Sequence, residues 1–529
     1  MAAPPQIVLF LLLLFAAVAV FSTPIENFDV RRHLSTVTRY HIAKDISENS
    51  FVPSTIPDQC TPVHLNLVAH SMQFSKQFSF WIIRKQPLFV NTGVRLRTSD
   101  PPLPRFLREP LRHWGNVVVV ARHGTRAPTK KRMKELDALA TRLEVLLENV
   151  KEQRSTVLPT WLRGWRSPWT GKHKGGELIR EGENELYELG IRTRERFPKL
   201  FNEDYHPDIY PIKATQVSRA SASAVAFGMG LFSGRGNLGP GSQRAFAVTS
   251  ESRASDITLR FHDCCQNYKI MDLAYRKSQE PSVDKLKEPI LDEITVGLAT
   301  RWGLNFTQQD ISSLWFLCKQ EASLLNTTDQ ACALFSPSEV ILLEWTDDLE
   351  VFVLKGYGNS LNYRMGVPLL EDVIWSMEQA IKAKENGLVH GSYELARLRF
   401  AHAETLLPFS CLIGLFLDGP EFERILREQP LNLPVKPPQE RIWRGSTVAP
   451  FAGNNMLVLY SCAANNTSEY FVQVLHNEHP VPMVGCGNSD FCPFEIFEER
   501  IAAPHLKHDY KSLCSMETEQ SEGIAPTKL

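Results

Sequence analysis

The residues of this chain best suited to chemistry are a histidine and the two arginines that flank it. They lie in the stretch Arg122-His123-Gly124-Thr125-Arg126-Ala127-Pro128. Two fixed guanidiniums hold phosphate oxygens bidentately, and their charge keeps a neighbouring imidazole neutral and therefore nucleophilic. The stretch predicts an enzyme that forms a phosphohistidine on His123, with Arg122 and Arg126 as phosphate ligands. A surface turn with incidental charges is the alternative.

Two stretches further along the chain supply the remaining groups that phosphate-ester cleavage needs. His402-Ala403-Glu404 offers a hydrogen-bond donor and a carboxylic acid that can protonate the departing oxygen. Arg219 lies at the start of an Ala/Ser-rich helix, whose free N–H groups can hold an anion. In isolation the triplet is typical of a solvated loop and Arg219 of a helix-surface charge.

Together these motifs resemble the signature of the histidine acid phosphatases, branch 2 of the histidine phosphatase superfamily. The chain is most similar to the multiple inositol polyphosphate phosphatase and plant phytase type, in which His-Ala-Glu replaces a His-Asp pair. The resemblance covers residues 27–69 and 121–515. It implies that Glu404 is the proton donor, His402 a phosphate ligand and Arg219 a third phosphate-binding guanidinium. Thr125, inside the first motif, is a further candidate substrate contact.

The reaction expected from these residues is a two-step phosphoryl transfer. His123 attacks phosphorus while the arginines and His402 neutralise the equatorial oxygens. Protonated Glu404 donates its proton to the leaving alkoxide. The ionised form of Glu404 then activates the water molecule that hydrolyses the phosphohistidine. We expect no metal and no cofactor, because the arginines supply the positive charge and no His/Cys cluster has zinc spacing. An acidic to near-neutral pH optimum follows.

Two basic clusters bear on the substrate. Four cations follow the first motif and two more lie in a Gly-containing loop: Lys130, Lys131, Arg132, Lys134, Lys172 and Lys174. Near a phosphate site they would attract a small-molecule polyanion, although solvated helix ends are an equal alternative. The resemblance implies phytate and lower inositol phosphates. Whole-chain charge is no guide, with 58 Lys+Arg against 59 Asp+Glu, and no basic stripe with interleaved aromatic residues points to nucleic acid.

Several features predict the secretory route, with a secreted, extracellular or vacuolar destination. The apolar run Ile7–Phe21 is shorter than the about 20 residues of a membrane span, so residues 1–22 are interpreted as a signal peptide and no stable membrane span is expected. A retained signal anchor is the alternative. The protein is expected to be a monomer. Candidate glycosylation sites are Asn305, Asn326, Asn465 and Asn466.

The ten cysteines fit an oxidising compartment. Close spacing favours two local disulfides, Cys318–Cys332 and Cys486–Cys492. Cys411, in a Leu-rich helix, is expected to be a buried free thiol. Pairing among the remaining cysteines is left open.

The elements that must position these residues predict an α/β fold, a mixed central sheet flanked by helices with a mostly helical cap. Apolar runs predict strands at 116–121, 212–217, 244–249, 396–401, 455–462 and 469–475, and helices at 130–151 and 367–384. The core is expected at 116–259 and 391–514 and the cap at 260–390. An N-terminal segment at 23–69 and a disordered tail at 515–529 complete the division.

Residues 70–115 interrupt this pattern. Val63–Ala69 already has the character of the strand that the related family places before Arg-His-Gly, yet Asn116–Ala121 supplies a second one. Only Asn116–Ala121 can place His123 in register, so we predict that it takes the central position in the sheet. We interpret 70–115 as a basic insertion, such as a translated intron; a membrane- or partner-binding module is the alternative.

Other functions fit the same residues. The phosphohistidine can pass its phosphoryl group to a hydroxyl other than water, which would make a phosphotransferase or mutase. The chain can also be a less specific acid phosphatase, or an inactive polyphosphate-binding variant whose first strand the insertion spoils.

Overall fold

A mixed sheet of eight strands organises the part of the chain that the computed structural model describes, residues 28–48, 60–61, 115–148, 158–172, 174–277, 283–464 and 467–515. In chain order the strands are β1 Cys60–Thr61, β2 Asn116–Arg122, β3 Ile212–Ala214, β4 Ala396–Ala401, β5 Asn454–Ala464, β6 Thr467–His476, β7 His479–Pro480 and β8 Cys492–Pro493. Their order is β3-β4-β2-β5-β6-β7, with β1 beside β5 and β8 beside β6. β2 and β3 both pair parallel with β4, whereas β5 is antiparallel to β2.

The predicted central strand is confirmed. β2 lies between β4 and β5, and all its residues are buried. Val118 and Val120 pack into the core on one side of the sheet, and Val117 and Val119 into the core on the other. Because side chains alternate between the faces of a strand, covering both faces requires the continuous apolar run seen in the sequence.

Most of the other strand predictions hold within one to three residues, and one is wrong. The predicted strand 212–217 ends at Ala214, because the chain turns at Thr215 into a helix that begins at Ser218. Residues 244–249 do not form a strand. They run beside the short edge strand β3 and make only two backbone hydrogen bonds to it, both through Thr249.

Helices cover both faces of the sheet. In chain order they are α1 Tyr40–Glu48, α2 Lys130–Glu148, α3 Arg180–Arg196, α4 Ser218–Leu231, α5 Phe261–Cys264, α6 Gln266–Lys277, α7 Val283–Trp302, α8 Gln308–Gln320, α9 Pro337–Lys355, α10 Ser360–Arg364, α11 Val367–Glu385, α12 Ala403–Leu412, α13 Gly419–Leu426, α14 Gly445–Val448, α15 Phe494–Ile496, α16 Ala503–Leu506 and α17 Tyr510–Cys514. Single 3₁₀ turns lie at Val30–His33, Ser35–Val37, Thr160–Leu162, Ala331–Leu334 and Val484–Cys486, and π-helical turns at Glu321–Leu325 and Phe497–Ala502. The helices predicted at 130–151 and 367–384 correspond to α2 and α11. No described helix is long and apolar enough to cross a membrane.

Between β3 and β4 the chain forms α4 to α11 and contributes no strand among the described residues of 260–390. α9 is the long buried helix of this stretch, with a Ser336 capping box at its N-terminus and Gly356 after its last residue. The stretch packs into the same apolar core as Val118 and Val120, which lie on one face of β2. Its status as a separate cap domain stays a prediction.

The cysteine predictions are confirmed where the structure describes them. Cys318–Cys332 and Cys486–Cys492 are disulfides, and Cys411 is a buried free thiol. The structure adds Cys265–Cys514, which ties the helical stretch to the C-terminal helix α17. Cys462 is disulfide-bonded as well.

Some predictions lie wholly or largely outside the described residues. These are the signal peptide at 1–22, residues 70–115 apart from Gly115, the strand at Val63–Ala69, the tail beyond Ser515, and the sequons at Asn465 and Asn466. Asn305 and Asn326 are exposed, as a glycosylated asparagine must be, but glycosylation itself stays a prediction.

Candidate active site

Three parallel strands deliver the predicted residues to one edge of the sheet. β2 ends at Arg122, opposite Ala401 at the end of β4, and β3 ends at Ala214, opposite Phe400. The next residues of β2 and β4 are therefore neighbours, and the His123 and His402 rings lie 5.4 Å apart between centroids. Ligands of open α/β sheets bind at such carboxyl ends.

His123 is buried and held as a neutral imidazole. Its Nδ1 lies 2.9 Å from the Gly124 carbonyl oxygen, which can only accept, so Nδ1 carries the proton and Nε2 keeps its lone pair. Burial, and then the charge of Arg122, holds the pKa of His123 well below its usual range. The lone pair that phosphorus requires thus remains available in acid.

Glycine is required after the nucleophile by a close backbone approach. A Cβ at Gly124 would lie 2.3 Å from the carbonyl oxygen of Gly182, near the start of α3. The same helix holds Thr125, whose N–H and hydroxyl donate to the Glu185 carboxylate at 2.8 and 2.9 Å. Thr125 is fully buried and does not line the cavity described below. These contacts make Thr125 an anchor of the loop that carries His123, and its role as a substrate contact stays a prediction.

The three arginines converge with unpaired donors. The Nε atoms of Arg122, Arg126 and Arg219 are buried and have no hydrogen-bond partner within the described part of the chain. Nη1 of Arg122 donates to two carbonyl oxygens, those of Thr36 and, at 2.6 Å, Ala449. Because a buried charged donor favours a hydrogen-bond acceptor, these three atoms are suited to bind an anion placed between them.

Burial and mutual repulsion act on these guanidiniums without discharging them. Burial, followed by the charge of Arg126, lowers the pKa of Arg122 to about 9 and that of Arg219 to about 10. All three remain cationic in acid and at neutral pH. A phosphoryl group placed between them would relieve the repulsion.

Glu404 differs from the sequence expectation. Its Oε1 accepts from the Lys355 ammonium at 2.8 Å. Burial by itself raises the pKa of this carboxyl, but the charge of Lys355, with His262 and His402, outweighs burial and holds the pKa of Glu404 well below its usual range. The free site therefore contains a carboxylate rather than the protonated acid that was expected.

A cavity of about 360 Å³ is lined by Arg122, His123, Arg126, Arg219 and Glu404, whereas His402 is buried behind this lining. Its floor is the strand-end cluster, and its walls come from the N-terminal segment at 34–37, from α2 and from the helical stretch. Six Lys/Arg side chains line it against three Asp/Glu, in a chain whose net charge is −1. The charged lining residues are Arg122, Arg126, Arg132, Arg219, Lys319, Lys355, Asp347, Glu350 and Glu404.

Of the predicted substrate-binding cations, only Arg132 lines this cavity. It stacks on the Phe316 ring at 4.6 Å and pairs with Glu135. The other five predicted cations are exposed and none of them lines the cavity: Lys130, Lys131, Lys134, Lys172 and Lys174. The first motif is followed by a helix, so successive cations point in different directions around α2 rather than into one mouth.

Sequence reasoning missed four residues of the site. Lys319 and Lys355 enter the cavity from the helical stretch, while Thr215 and Arg260 both contact the His402 ring. A lysine within a helix carries no signal that separates it from a surface charge. Thr215 was visible next to the Arg219 motif, and Arg260 next to His262, but neither position indicates a role.

A family model confirms the resemblance. The model described as histidine phosphatase superfamily (branch 2) matches residues 115–477, which include every candidate catalytic and phosphate-binding residue. The chain belongs to this superfamily. It is a histidine phosphatase, and the predicted mixed α/β fold is confirmed.

The chain is similar to inositol polyphosphate phosphatases and phytases in both sequence and structure. Multiple inositol polyphosphate phosphatase 1 of Dictyostelium discoideum is 26% identical over 453 residues, which is 77% of this chain and 69% of the relative. A phytase structure from D. castellii has a TM-score of 0.59 at 18% identity, covering 93% of this chain and 89% of the other. A Bifidobacterium longum multiple inositol polyphosphate phosphatase, in complex with inositol hexasulfate, has a TM-score of 0.54 at 17% identity, covering 90% and 98%. At these identities the two structures establish the fold alone.

Proposed function

We propose that this histidine phosphatase hydrolyses phytate and lower inositol phosphates through a phosphohistidine on His123. The observation that carries the proposal is the placement of Arg122, Arg126 and Arg219 around the neutral imidazole of His123 in one cavity. The cationic excess of the cavity supports a polyanionic substrate, as do the names of the similar proteins.

In the first step the His123 Nε2 lone pair forms the N–P bond as the ester P–O bond breaks. The arginines and His402 take the charge on the equatorial oxygens. The leaving alkoxide takes a proton from Glu404. Because the charge of Lys355 holds the pKa of Glu404 low in the free site, we propose that a monoanionic phosphate group of the substrate supplies this proton.

In the second step a water molecule attacks the phosphohistidine. Glu404, again a carboxylate, accepts the water proton as the new O–P bond forms. The N–P bond breaks, the electron pair returns to Nε2, and inorganic phosphate leaves. Transfer to an added alcohol instead of water would identify a phosphotransferase.

The decisive experiment is phosphate release from inositol hexakisphosphate by the full chain, with His123→Ala as the control. Rapid quenching with ³²P-labelled substrate should leave an acid-labile ³²P label on the wild-type protein and no label on His123→Ala. This result would support the phosphohistidine intermediate. Release that is unchanged in His123→Ala, or a wild-type chain that binds the substrate without releasing phosphate, would refute the proposal.

We further propose that the protein enters the secretory pathway and is glycosylated at Asn305 and Asn326. Both side chains are exposed. N-terminal sequencing of the mature protein and a mass shift after enzymatic deglycosylation test this. A retained Met1 and no mass shift would contradict it.

A further inference from the structure

The His402 ring is held on its outer side by two residues that the proposed reaction does not use. Arg260 Nη1 lies 2.9 Å from Nε2 of His402, and the Thr215 hydroxyl lies at the same distance from that nitrogen. Thr215 follows the end of β3, and Arg260 precedes α5. Both residues are buried.

The chemistry of arginine decides the state of this ring. A guanidinium has donors only, and each ring nitrogen of His402 faces one: Arg260 Nη1 lies 2.9 Å from Nε2, and Arg219 Nη2 lies 3.4 Å from Nδ1. The shorter contact assigns Nε2 as the acceptor, so Nε2 does not carry the proton. The ring proton of neutral His402 is then on Nδ1, the opposite nitrogen. The Thr215 hydroxyl can also donate to Nε2 and reinforces the same tautomer.

The inner side of the ring faces the arginine cluster. Nδ1 of His402 lies 3.4 Å from Arg219 Nη2. An unprotonated Nδ1 could accept from Arg219 in this contact, but in the Nδ1–H tautomer that the shorter Arg260 contact favours, both nitrogens are donors and face each other across 3.4 Å. A phosphoryl oxygen placed there would accept from both.

Arg260 is fixed in turn by Asp263. Its Nε donates to Asp263 Oδ2 at 2.9 Å, and its Nη2 contacts the same oxygen. Asp263 also receives the exposed Arg253 at 3.4 Å. Neither Arg260 nor His402 is among the residues that line the cavity, and Arg260 is connected to the arginine cluster through the His402 ring.

We propose that Arg260, with Thr215, is a positioning residue that fixes His402 as the Nδ1–H tautomer and directs its proton to the transferring phosphoryl group. The proposal rests on the proposed function for its consequence in catalysis, but the tautomer itself is a property of the free protein. Outer hydrogen bonds of this kind set the tautomer of functional histidines in general.

The direct test is ¹⁵N NMR of the full chain with labelled histidine. The two ring nitrogens differ in shift according to which one carries the proton, and His402→Gln identifies the resonances. Wild-type protein should show protonated Nδ1 and unprotonated Nε2. A wild-type His402 protonated on Nε2 overturns the proposal whether or not the enzyme is active, which separates its failure from that of the proposed function.

Variants then connect the tautomer to turnover. Arg260→Met should mix the tautomers and lower kcat about 10- to 100-fold, with little change in KM, since the interaction acts on the transition state. Arg260→Lys keeps a donor and should restore part of both readouts; Thr215→Val should have a smaller effect than Arg260→Met. Arg253→Met is the matched control, because it removes the other partner of Asp263 and leaves His402 untouched.

Two outcomes would overturn the proposal. One is an Arg260→Met protein with wild-type His402 shifts, whatever its activity. The other is an equal loss of kcat in Arg260→Met and Arg253→Met, which would indicate that Arg260 only anchors its loop. If Arg260→Met does not fold, the wild-type and Thr215→Val spectra still decide the tautomer.

Discussion

At the residue scale, the site combines a nucleophile that stays neutral with an acid that stays ionised. The two shifts have different causes. Burial, and then the charge of the arginines that would bind phosphate, lowers the pKa of His123, whereas the charge of the lysine that pairs with Glu404 lowers the pKa of that carboxyl. In the free site, His123 is thus already neutral for nucleophilic attack, and Glu404 is already ionised for its role as the base of the second step. The proton that the leaving group needs has to be supplied separately.

The lowered pKa of His123 makes a prediction about the acid limb of the rate profile. An ordinary histidine has a pKa of about 6.5 and would be lost as a nucleophile below that value. Because His123 takes up a proton only at a much lower pH, kcat/KM for inositol hexakisphosphate should not fall as pH decreases through 6.5 to 5. Steady-state rates across this range provide the measurement. A sharp decline centred near 6.5 would contradict it.

The Lys355–Glu404 pair makes a prediction about the alkaline limb. Lys355→Met removes the charge that holds the Glu404 pKa down, so Glu404 should keep a proton to higher pH. The pH above which kcat falls should therefore be higher in Lys355→Met than in the wild type. Steady-state rates measured against pH should show this most clearly with a phosphomonoester that is too small to reach Lys355.

Lys319→Met is the matched comparison for Lys355. Lys319 lines the same cavity but pairs with Asp347 at 2.6 Å, so its removal should weaken polyphosphate binding without moving the descent. Equal pH profiles for the two variants would show that Lys355 does not control Glu404.

The motif residues were predictable from sequence, whereas their partners were not. His123 and the arginines stand together because adjacent residues build one phosphate cradle. Lys355 and Arg260 act across 49 and 142 residues of separation, respectively, and depend on how α9 and α5 pack. The low pKa of Glu404 in the free site could not be predicted for the same reason, because the charge that lowers it, Lys355, lies on another element.

At the element scale, the ends of β2, β3 and β4 and the helix α3 set the geometry of the active site. Two strands that are buried on both faces were predicted nearly to the residue: β2, a continuous apolar run, and β4, in which apolar residues alternate with Arg397 and Arg399. The segment at 244–249 was not, because its alternating pattern is also produced by an extended edge segment with half-buried Phe246 and Val248. An alternating apolar pattern indicates that one face of a segment is buried. It does not show that the backbone is hydrogen-bonded to a neighbouring strand, which is what defines a β-strand.

Glu185 on α3 is predicted to stabilise the nucleophile loop. Glu185→Ala leaves the buried Thr125 N–H without its acceptor, which should lower the free energy of unfolding by about 1–3 kcal/mol and reduce kcat. Glu185→Gln keeps one acceptor oxygen and should lose less. Denaturant unfolding and phosphate release measure the two effects. A Glu185→Ala protein as stable and active as wild type would show that Glu185 does not hold this loop.

At the scale of the whole molecule, the register of the sheet bears on the insertion. β1 faces Cys462 and Ser461 of β5, and β2 begins opposite Leu459. β6 pairs with β5 over 455–464 and occupies its other edge, so β1 and β2 share one edge. Gly115 donates to the Leu459 carbonyl and falls opposite Tyr460, between them. Thr61 and Gly115 therefore occupy successive register positions of a single broken strand.

A deletion of residues 62–114 should consequently join β1 to β2 without disturbing the site. Thr61 would precede Gly115 directly, and the His123 loop, the arginines and β4 would keep their register. Loop-closure cost grows with loop length, so the free energy of unfolding should be unchanged or higher in the shortened chain. Its kcat/KM for inositol hexakisphosphate should equal that of the full chain, or exceed it if residues 62–114 hinder folding. A shortened protein that folds but releases no phosphate, beside an active full chain, would show that these residues belong to the enzyme.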